Sequence, residues 1–156
     1  GYPINAIVIS DDIKGVEMNG IDLHTFGNNQ VSQVAALKQI EVIERDNILD
    51  NVNTVGGYIK DSLLAMQKNW PEMGEIRALG FHIAIDLVKD RDTREPDYAG
   101  CSAMREKGFE NGIIFGVGGS GKGKNVLKIK PPLITTREQA DDILERYETT
   151  LKQIYG

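Results

Sequence analysis

Arg77 is the residue whose type and position most directly suggest ligand binding. It begins a segment of alternating apolar residues and lies in phase with them, which predicts a guanidinium on the inner or cleft-facing side of a strand. A charge placed there must find an anion or reach solvent, because an unpaired buried charge is costly. The planar guanidinium is suited to binding a carboxylate. The pattern leaves two interpretations open, a carboxylate-binding arginine and an ordinary structural ion pair.

A second candidate is Thr25, in the segment His-Thr-Phe-Gly-Asn-Asn at 24–29, directly before a helical pattern. A threonine hydroxyl and the free amides of a helix N-terminus can bind a phosphate group together. The same segment also fits a simple capped helix start, with Asn28 or Asn29 as the cap. The residues alone do not separate these interpretations.

The loop at 116–123 imitates a phosphate-binding loop, since it reads Gly-x-x-x-x-Gly-Lys. Gly123 follows Lys122, where such loops need Ser or Thr to bind Mg²⁺. The next segment has the pattern of a strand, whereas a phosphate loop is followed by a helix. We therefore predict a hairpin tip here and no nucleotide binding.

Metal and nucleophile chemistry have little support in the sequence. The only histidines are His24 and His82, and Cys101 is the single cysteine, so no metal-ligand spacing exists and no metal site is expected. Cys101 lies in a predicted helix with no histidine assigned to it, which is typical of an unreactive, half-buried thiol.

The composition bounds the function classes. The chain has 156 residues, of which 40% are hydrophobic and 26% charged, as in an ordinary globular domain. A net charge of −5 argues against binding nucleic acid or an anionic membrane. No apolar run approaches the roughly 20 residues of a membrane span, and the first residues do not resemble a signal peptide. With one cysteine and so no internal disulfide, we expect a cytoplasmic protein.

The hydrophobic periodicity predicts the elements that must position these residues. In chain order they are a strand at 4–9, helices at 31–43 and 52–66, a strand at 76–88, a helix at 97–107 stopped by Gly108, strands at 113–117 and 126–130, and a last helix. The first helix has a wide apolar face and is expected to be largely buried. The last begins at a capping box, Thr135 with Glu138 or Thr136 with Gln139, and carries Ala140, Ile143, Leu144, Tyr147, Leu151 and Ile154 on one face. The order predicts an α+β fold, a small antiparallel sheet covered by helices on one side, which the first strand and helix fit poorly.

Several of these segments, in this order, resemble the class III family of pyridoxal-phosphate aminotransferases, of fold type I. The segments that carry the resemblance are Gly1-Tyr2-Pro3-Ile4, Thr25-Phe26-Gly27-Asn28-Asn29, Val34-Ala35-Ala36-Leu37, Gly74-Glu75-Ile76-Arg77-Ala78-Leu79-Gly80, Asp86-Leu87-Val88-Lys89-Asp90 and Lys128-Ile129-Lys130-Pro131-Pro132-Leu133. The resemblance runs the whole length of the chain and covers only the C-terminal portion of the family.

The resemblance implies a specific organisation. Residues 1–46 would be the end of the large cofactor domain with an interdomain helix, and 47–156 would be the C-terminal small domain. Thr25 would bind the phosphate of pyridoxal 5′-phosphate in the neighbouring subunit's site, and Arg77 would bind the substrate carboxylate. The enzyme would be a homodimer or tetramer that transfers an amino group from an amino donor to an oxo acid.

The resemblance also implies what these residues do not supply. By the family pattern the Schiff-base lysine lies upstream of Gly1, so no catalytic residue is expected in the chain and the isolated fragment should be inactive. A rival hypothesis is a non-catalytic dimerisation or regulatory module that uses the same small-domain fold.

Overall fold

The computed structural model describes residues 2–8, 10–13, 29–118 and 124–156. The chain divides into two compact units, Gly1–Asp46 and Asn47–Gly156. Within the described ranges, no helix combines the length and the apolar character needed to cross a membrane.

In the described residues of the first unit, the one regular element is helix α1 (Gln30–Arg45). Asn29 caps it, since its Oδ1 accepts a hydrogen bond of 3.1 Å from the Ser32 amide. The prediction that its apolar face is largely buried is wrong, because Val31, Val34, Leu37 and Ile40 are 53–68% exposed. A helical stripe shows that an apolar face exists and does not show what covers it.

The strand predicted at 4–9 is also wrong over 4–8, which has no regular secondary structure, and Ile9 lies outside the described residues. Ile7 is 85% exposed and Val8 is 95% exposed. An apolar, β-branched run becomes a strand only where a neighbouring strand pairs with its amides and carbonyls. Residues 4–8 pair with none in the described part of the chain.

The second unit is an α+β fold, as predicted. Its sheet is formed by β1 (Met73–Leu79), β2 (His82–Asp90), β3 (Glu95–Pro96), β4 (Gly116–Gly118) and β5 (Val126–Ile129). The strand order is β1-β2-β5-β4, β3 also pairs with β2, and every pairing is antiparallel. The helices are α2 (Ile48–Met66), extended by a 3₁₀ turn at Gln67–Asn69, α3 (Tyr98–Glu110) and α4 (Arg137–Tyr155).

The core lies between the sheet and these helices. Helices α2 and α3 pack on the sheet, and α4 packs on both of them. The side chains with no exposed surface include Ile59, Leu63, Met73, Ile83, Ile85, Leu87, Met104, Leu127, Tyr147 and Leu151. The apolar face predicted for α4 is confirmed by this packing, and the rings of Phe115 and Tyr147 meet edge to face with centroids 5.7 Å apart.

The single long strand predicted at 76–88 is a hairpin of β1 and β2. Leu79 pairs with His82, and the two residues between them form the turn, with Gly80 at φ 53°. A glycine with positive φ at the first turn position is the pattern of a type II′ hairpin. The turn changes the phase of the alternation: Ile76 and Ala78 pack against the core in β1, and Ile83 is buried in β2.

Gly56 of α2 explains how closely the helix approaches this turn. A Cβ at Gly56 would lie 2.7 Å from both the carbonyl carbon and the oxygen of Gly80. Glycine lowers helix propensity, but at position 56 it is needed because a side chain would not fit between the two backbones.

Helix α3 runs to Glu110, so the prediction that Gly108 stops it is wrong. The helix ends in a Schellman motif: the amide of Ile113 donates to the Gly108 carbonyl at 2.8 Å, and that of Gly112 donates to Phe109 at 3.1 Å. Gly112, at φ 78°, is the left-handed residue. Gly108 is buried, and a Cβ at this position would collide with the Phe115 ring.

Candidate functional site

Arg77 lies on the face of the sheet that the helices leave open, here called the outer face and marked by Glu75, Arg77 and Asp86. It pairs with Ala84 of β2, and its side chain is 45% exposed. The expectation that Arg77 is in phase with the core residues is therefore wrong. The hairpin turn reverses the phase, so that β1 points Ile76 and Ala78 inward and Arg77 outward.

Two carboxylates hold the Arg77 guanidinium. Asp86 binds it in bidentate fashion: Oδ1 accepts from Nη2 at 2.5 Å and Oδ2 accepts from Nη1 at 3.1 Å. Glu75 accepts a single bond from Nη1, at 2.9 Å to Oε2. The hydrogen bonds that Asp86 accepts, together with its charge and with the hydrogen bond and charge of Glu75, raise the pKa of Arg77 above its ordinary value. The structure thus contains the ion pair that the sequence left as one of two interpretations.

The ion pairs do not use all of the guanidinium. An arginine has five N–H donors in one plane, and these contacts occupy both donors of Nη1 and one of Nη2. Within the described ranges, the N–H of Nε and the second N–H of Nη2 have no partner. These two donors point in the same direction and match the two oxygens of one carboxylate. Arg77 can therefore bind a further carboxylate while Asp86 and Glu75 remain in place.

A polar cleft of about 330 Å³ adjoins this cluster. It is lined by Gln67, Gly74, Glu75, Asp86, Val88, Arg91, Arg94 and Asn125. Arg91 Nη2 donates to the carbonyls of Gln67 and Trp70, both at 2.7 Å, so it holds the end of the 3₁₀ turn. The cleft therefore opens onto the carboxylates that hold Arg77.

Lys128 of β5 also lies on the outer face, because it and Arg77 pair with opposite sides of Ala84. It pairs with Ala84 on one side and Gly116 on the other, and its ammonium group lies over Gly118. Its side chain is half-buried, and within the described ranges it forms no ion pair.

The other predicted residues do not gather at one place. Thr25, His24 and residues 119–123 lie outside the described part of the chain. Residues 116–118 and 126–129 form the expected hairpin, so a strand follows the glycine-rich loop where a phosphate loop would need a helix. His82 is exposed at the hairpin turn. In the described residues, no group of three or more His, Cys, Asp or Glu side chains could hold a metal ion.

Cys101 is only 1% exposed, and burial raises the pKa of its thiol to about 11. A thiol of this kind is a core residue without nucleophilic activity near neutral pH.

The sequence did not indicate that Asp86 would pair with Arg77. The alternation does indicate that Asp86 faces outward, since the apolar residues Ile83, Ile85 and Leu87 alternate with Ala84 and Asp86. The pairing with Arg77 depends on the hairpin turn, because only the turn brings Arg77 and Asp86 onto neighbouring strands.

Comparison with known proteins identifies the family. A family model described as aminotransferase class-III matches residues 1–151. The chain belongs to the class III aminotransferase family. It is 31% identical over 154 residues to alanine–glyoxylate aminotransferase 2 homolog 2, mitochondrial, of Arabidopsis thaliana, covering 99% of this chain and 32% of that protein. It is 32% identical over 145 residues to isoleucine 2-epimerase of Lentilactobacillus buchneri, covering 93% of this chain and 31% of that protein.

The fold comparison agrees with the family. The crystal structure of a Bacillus anthracis aminotransferase superposes with a TM-score of 0.82 at 28% identity, covering 92% of this chain and 32% of that one. The chain thus spans about a third of the length of the curated relatives that it matches.

The family implies pyridoxal phosphate, and the described residues do not fit that cofactor by themselves. A lysine attacks an aldehyde as the neutral amine, and burial favours that form by lowering the lysine pKa. None of the lysines in the described ranges is buried. The described residues therefore contain a half-exposed arginine with two unused donors and no buried lysine.

Proposed function

We propose that this chain is the C-terminal part of a pyridoxal-phosphate-dependent aminotransferase that transfers an amino group from an amino donor to an oxo acid. Arg77 binds the carboxylate of the substrate. The observation that carries the proposal is the pair of unused donors on Nε and Nη2 of a half-exposed arginine, on the open face of a sheet from this family. Residues 1–46 would belong to the large cofactor domain, and 47–156 would form the small domain.

In this proposal the chain contributes binding and orientation. Arg77 holds the substrate carboxylate in the plane of its guanidinium and so fixes the rest of the substrate relative to the small domain. Thr25 would bind the cofactor phosphate through its hydroxyl in the neighbouring subunit of a homodimer or tetramer. Pyridoxal phosphate, held mainly by residues outside this chain, would supply the electron sink for moving the amino group. The lysine that binds the cofactor would lie outside these 156 residues.

A reduction experiment tests whether the cofactor-binding lysine lies outside this chain. We would incubate the 156-residue chain with pyridoxal phosphate, reduce it with borohydride and measure the mass of the product. We expect no stoichiometric lysine adduct and no amino transfer from an amine donor to pyruvate. A single specific adduct together with turnover would overturn the assignment of the catalytic lysine to another segment.

A substitution in the full-length enzyme tests Arg77. Arg77→Gln should raise KM for an oxo acid about 10- to 100-fold, the loss expected for a bidentate, charge-assisted pair. It should leave KM unchanged for an aldehyde acceptor that lacks the carboxylate. Equal effects on both acceptors would show that Arg77 is structural.

Two alternatives remain to be separated by experiment. The coding sequence upstream of Gly1 distinguishes the enzyme, which needs a cofactor domain and a lysine motif there, from a non-catalytic dimerisation or regulatory module. One relative is named an isoleucine 2-epimerase, so the reaction type also needs a test. Incubating the full-length enzyme with single amino acids, with and without an oxo acid, distinguishes epimerisation from amino transfer.

A further inference from the structure

The outer face contains a residue whose role follows from the geometry around Arg77. We propose that Asp86 is a positioning residue, which holds Arg77 by the Nη1–Nη2 edge and leaves the Nε–Nη2 edge aimed at the substrate carboxylate. This inference rests on the proposed function, because it assigns Arg77 the same ligand.

The first step is the division of the guanidinium into edges. Its end-on edge consists of one N–H from Nη1 and one from Nη2, and both of these donate to Asp86. Its side-on edge consists of the N–H of Nε and the other N–H of Nη2. A rigid, planar guanidinium held by two bonds on one edge has no freedom to rotate about its long axis. Fixing the first edge therefore also fixes the direction of the second.

The second step is that Asp86 is better suited to this task than Glu75. The Asp86 side chain is 24% exposed and makes two bonds to the guanidinium, whereas that of Glu75 is 61% exposed and makes one. Asp86 also lies on β2, where it pairs with Val126 of β5, so its backbone is held inside the sheet. A short side chain on a paired strand loses little entropy when it orients a neighbour.

The third step concerns selectivity. Arg77 has a single positive charge and pairs with two carboxylates, so the net charge of the cluster is −1 and does not attract a further anion. A further anion is therefore held by the matched pair of N–H donors more than by net charge. Such an arrangement favours the planar, two-oxygen geometry of a carboxylate over a spherical anion such as chloride. Asp86 would thus set both the direction and the selectivity of the substrate-binding arginine.

Acetate is a suitable probe for this edge. We would follow the side-chain Nε–H resonance of Arg77 by NMR in the 156-residue chain, adding sodium acetate or sodium chloride at constant ionic strength. With the natural sequence we expect a saturable shift with acetate and none with chloride. Asp86→Asn should weaken the acetate response by about fivefold or more, because an amide retains only one acceptor for the fork.

The variants separate positioning from a general structural effect. Glu75→Gln is the matched control, since it removes the other carboxylate, and it should change the acetate response less than about twofold. Asp86→Glu should restore much of the response, because it restores two acceptor oxygens. An Asp86→Asn chain that binds acetate as well as the natural one, or more tightly, would overturn the inference.

Kinetics in the full-length enzyme distinguish this inference from the proposed function. If Arg77→Gln leaves KM for the oxo acid unchanged, then Arg77 does not bind substrate and the proposed function fails. If Arg77→Gln raises that KM and Asp86→Asn does not, the positioning role alone fails. Support requires that both raise KM for the oxo acid, that neither raises it for the matching aldehyde, and that Asp86→Glu lowers it again.

Discussion

Helices α1 and α4 have the same kind of amphipathic sequence and opposite environments. Along α4, Ala140, Leu144, Tyr147 and Leu151 are at most 7% exposed. Along α1, the corresponding apolar residues are 53–68% exposed. Both helices begin at a side-chain cap, Thr136 for α4 and Asn29 for α1. Local sequence is therefore sufficient to indicate both helices, but only α4 is stabilised by the burial of its apolar side chains.

The contrast between α1 and α4 separates the part of the chain that has its own core from the part that does not. Unit Asn47–Gly156 has a continuous core in which helices cover a sheet. Helix α1 presents apolar side chains for which the described residues provide little cover, and the chain spans about a third of the length of its curated relatives. The apolar stripe of α1 is consistent with the proposal that residues 1–46 belong to a larger domain.

The largest expected contrast is in the loss of unfolding free energy when one leucine on each helix is replaced by alanine. Leu151→Ala should lower the free energy of unfolding by about 2–5 kcal/mol, because Leu151 is fully buried and truncation leaves a cavity. Leu37→Ala, at a position 68% exposed, should change it by less than about 0.5 kcal/mol. Urea denaturation of both variants measures the difference. A comparable loss at Leu37 would mean that α1 is covered in solution, and analytical ultracentrifugation would then show whether a second copy covers it.

A thiol in each environment gives the next largest contrast. Cys101, with its pKa raised to about 11 by burial, should react with a disulfide reagent at least ~100-fold more slowly at pH 8 than an exposed thiol does. The matched control is Val34→Cys in a Cys101→Ala background, since Val34 is 66% exposed on α1. The rate for Cys101 should keep rising to about pH 11, whereas that for Val34→Cys should level off near the ordinary thiol pKa.

The same shift makes stability depend on pH. Because the pKa of Cys101 is raised on folding, the unfolded chain loses this proton first as the pH increases. The contribution is fully present below pH 9 and is lost between about pH 9 and 11. Burial also raises the pKa of the Tyr147 hydroxyl, which acts in the same direction at higher pH. Cys101→Ala should reduce the fall in unfolding free energy between pH 9 and 11, and an unchanged slope would contradict the assignment.

Two adjacent glycines in α2 extend the comparison to a single helix. Gly56→Ala should destabilise the chain by about 1–3 kcal/mol, because its Cβ would collide with the Gly80 backbone. Gly57→Ala should stabilise it by up to about 1 kcal/mol, since nothing lies within 4 Å of its Cβ and alanine favours helix. Thermal unfolding of the two variants gives the signs, and a destabilising Gly57→Ala would show that this side of α2 is more crowded than the structure indicates.

Element types in the second unit were predictable because they depend on local periodicity and capping. Helix α4 followed from its apolar spacing, and the hairpin of β4 and β5 followed from two short apolar runs around a glycine-rich loop. The phase of Arg77 was not predictable in the same way. It depends on a two-residue turn at Gly80, inside a run whose alternation looks continuous, and a one-residue change in phase moves a side chain to the other face.

The candidate site also has one residue that the sequence suggested and one that it did not. Residue type and position suggested that Arg77 pairs with an anion, since few residues offer a planar set of donors, and they left open whether that anion is a substrate or a side chain. Its partner Asp86 is nine positions away in sequence and meets it only across the hairpin. The exposure of the apolar face of α1 was the least predictable feature, because it depends on surfaces that the helix's own sequence does not encode.

The two helix caps give the smallest and most discriminating contrast. Thr136 accepts a bond from the Gln139 amide, and the Gln139 side chain accepts from the Thr136 amide, so Thr136→Ala removes half of a capping box. This change should cost about 1 kcal/mol of global stability, because α4 can fray only by exposing the core. Asn29→Ala removes the bond to Ser32, yet α1 has little burial at stake, so the midpoint of urea unfolding should stay within experimental error. Instead, amide hydrogen exchange should accelerate in the first turn of α1 alone. If Asn29→Ala shifted the global midpoint as far as Thr136→Ala does, α1 would have to unfold together with the core, and the contrast between the two helices would not hold in solution.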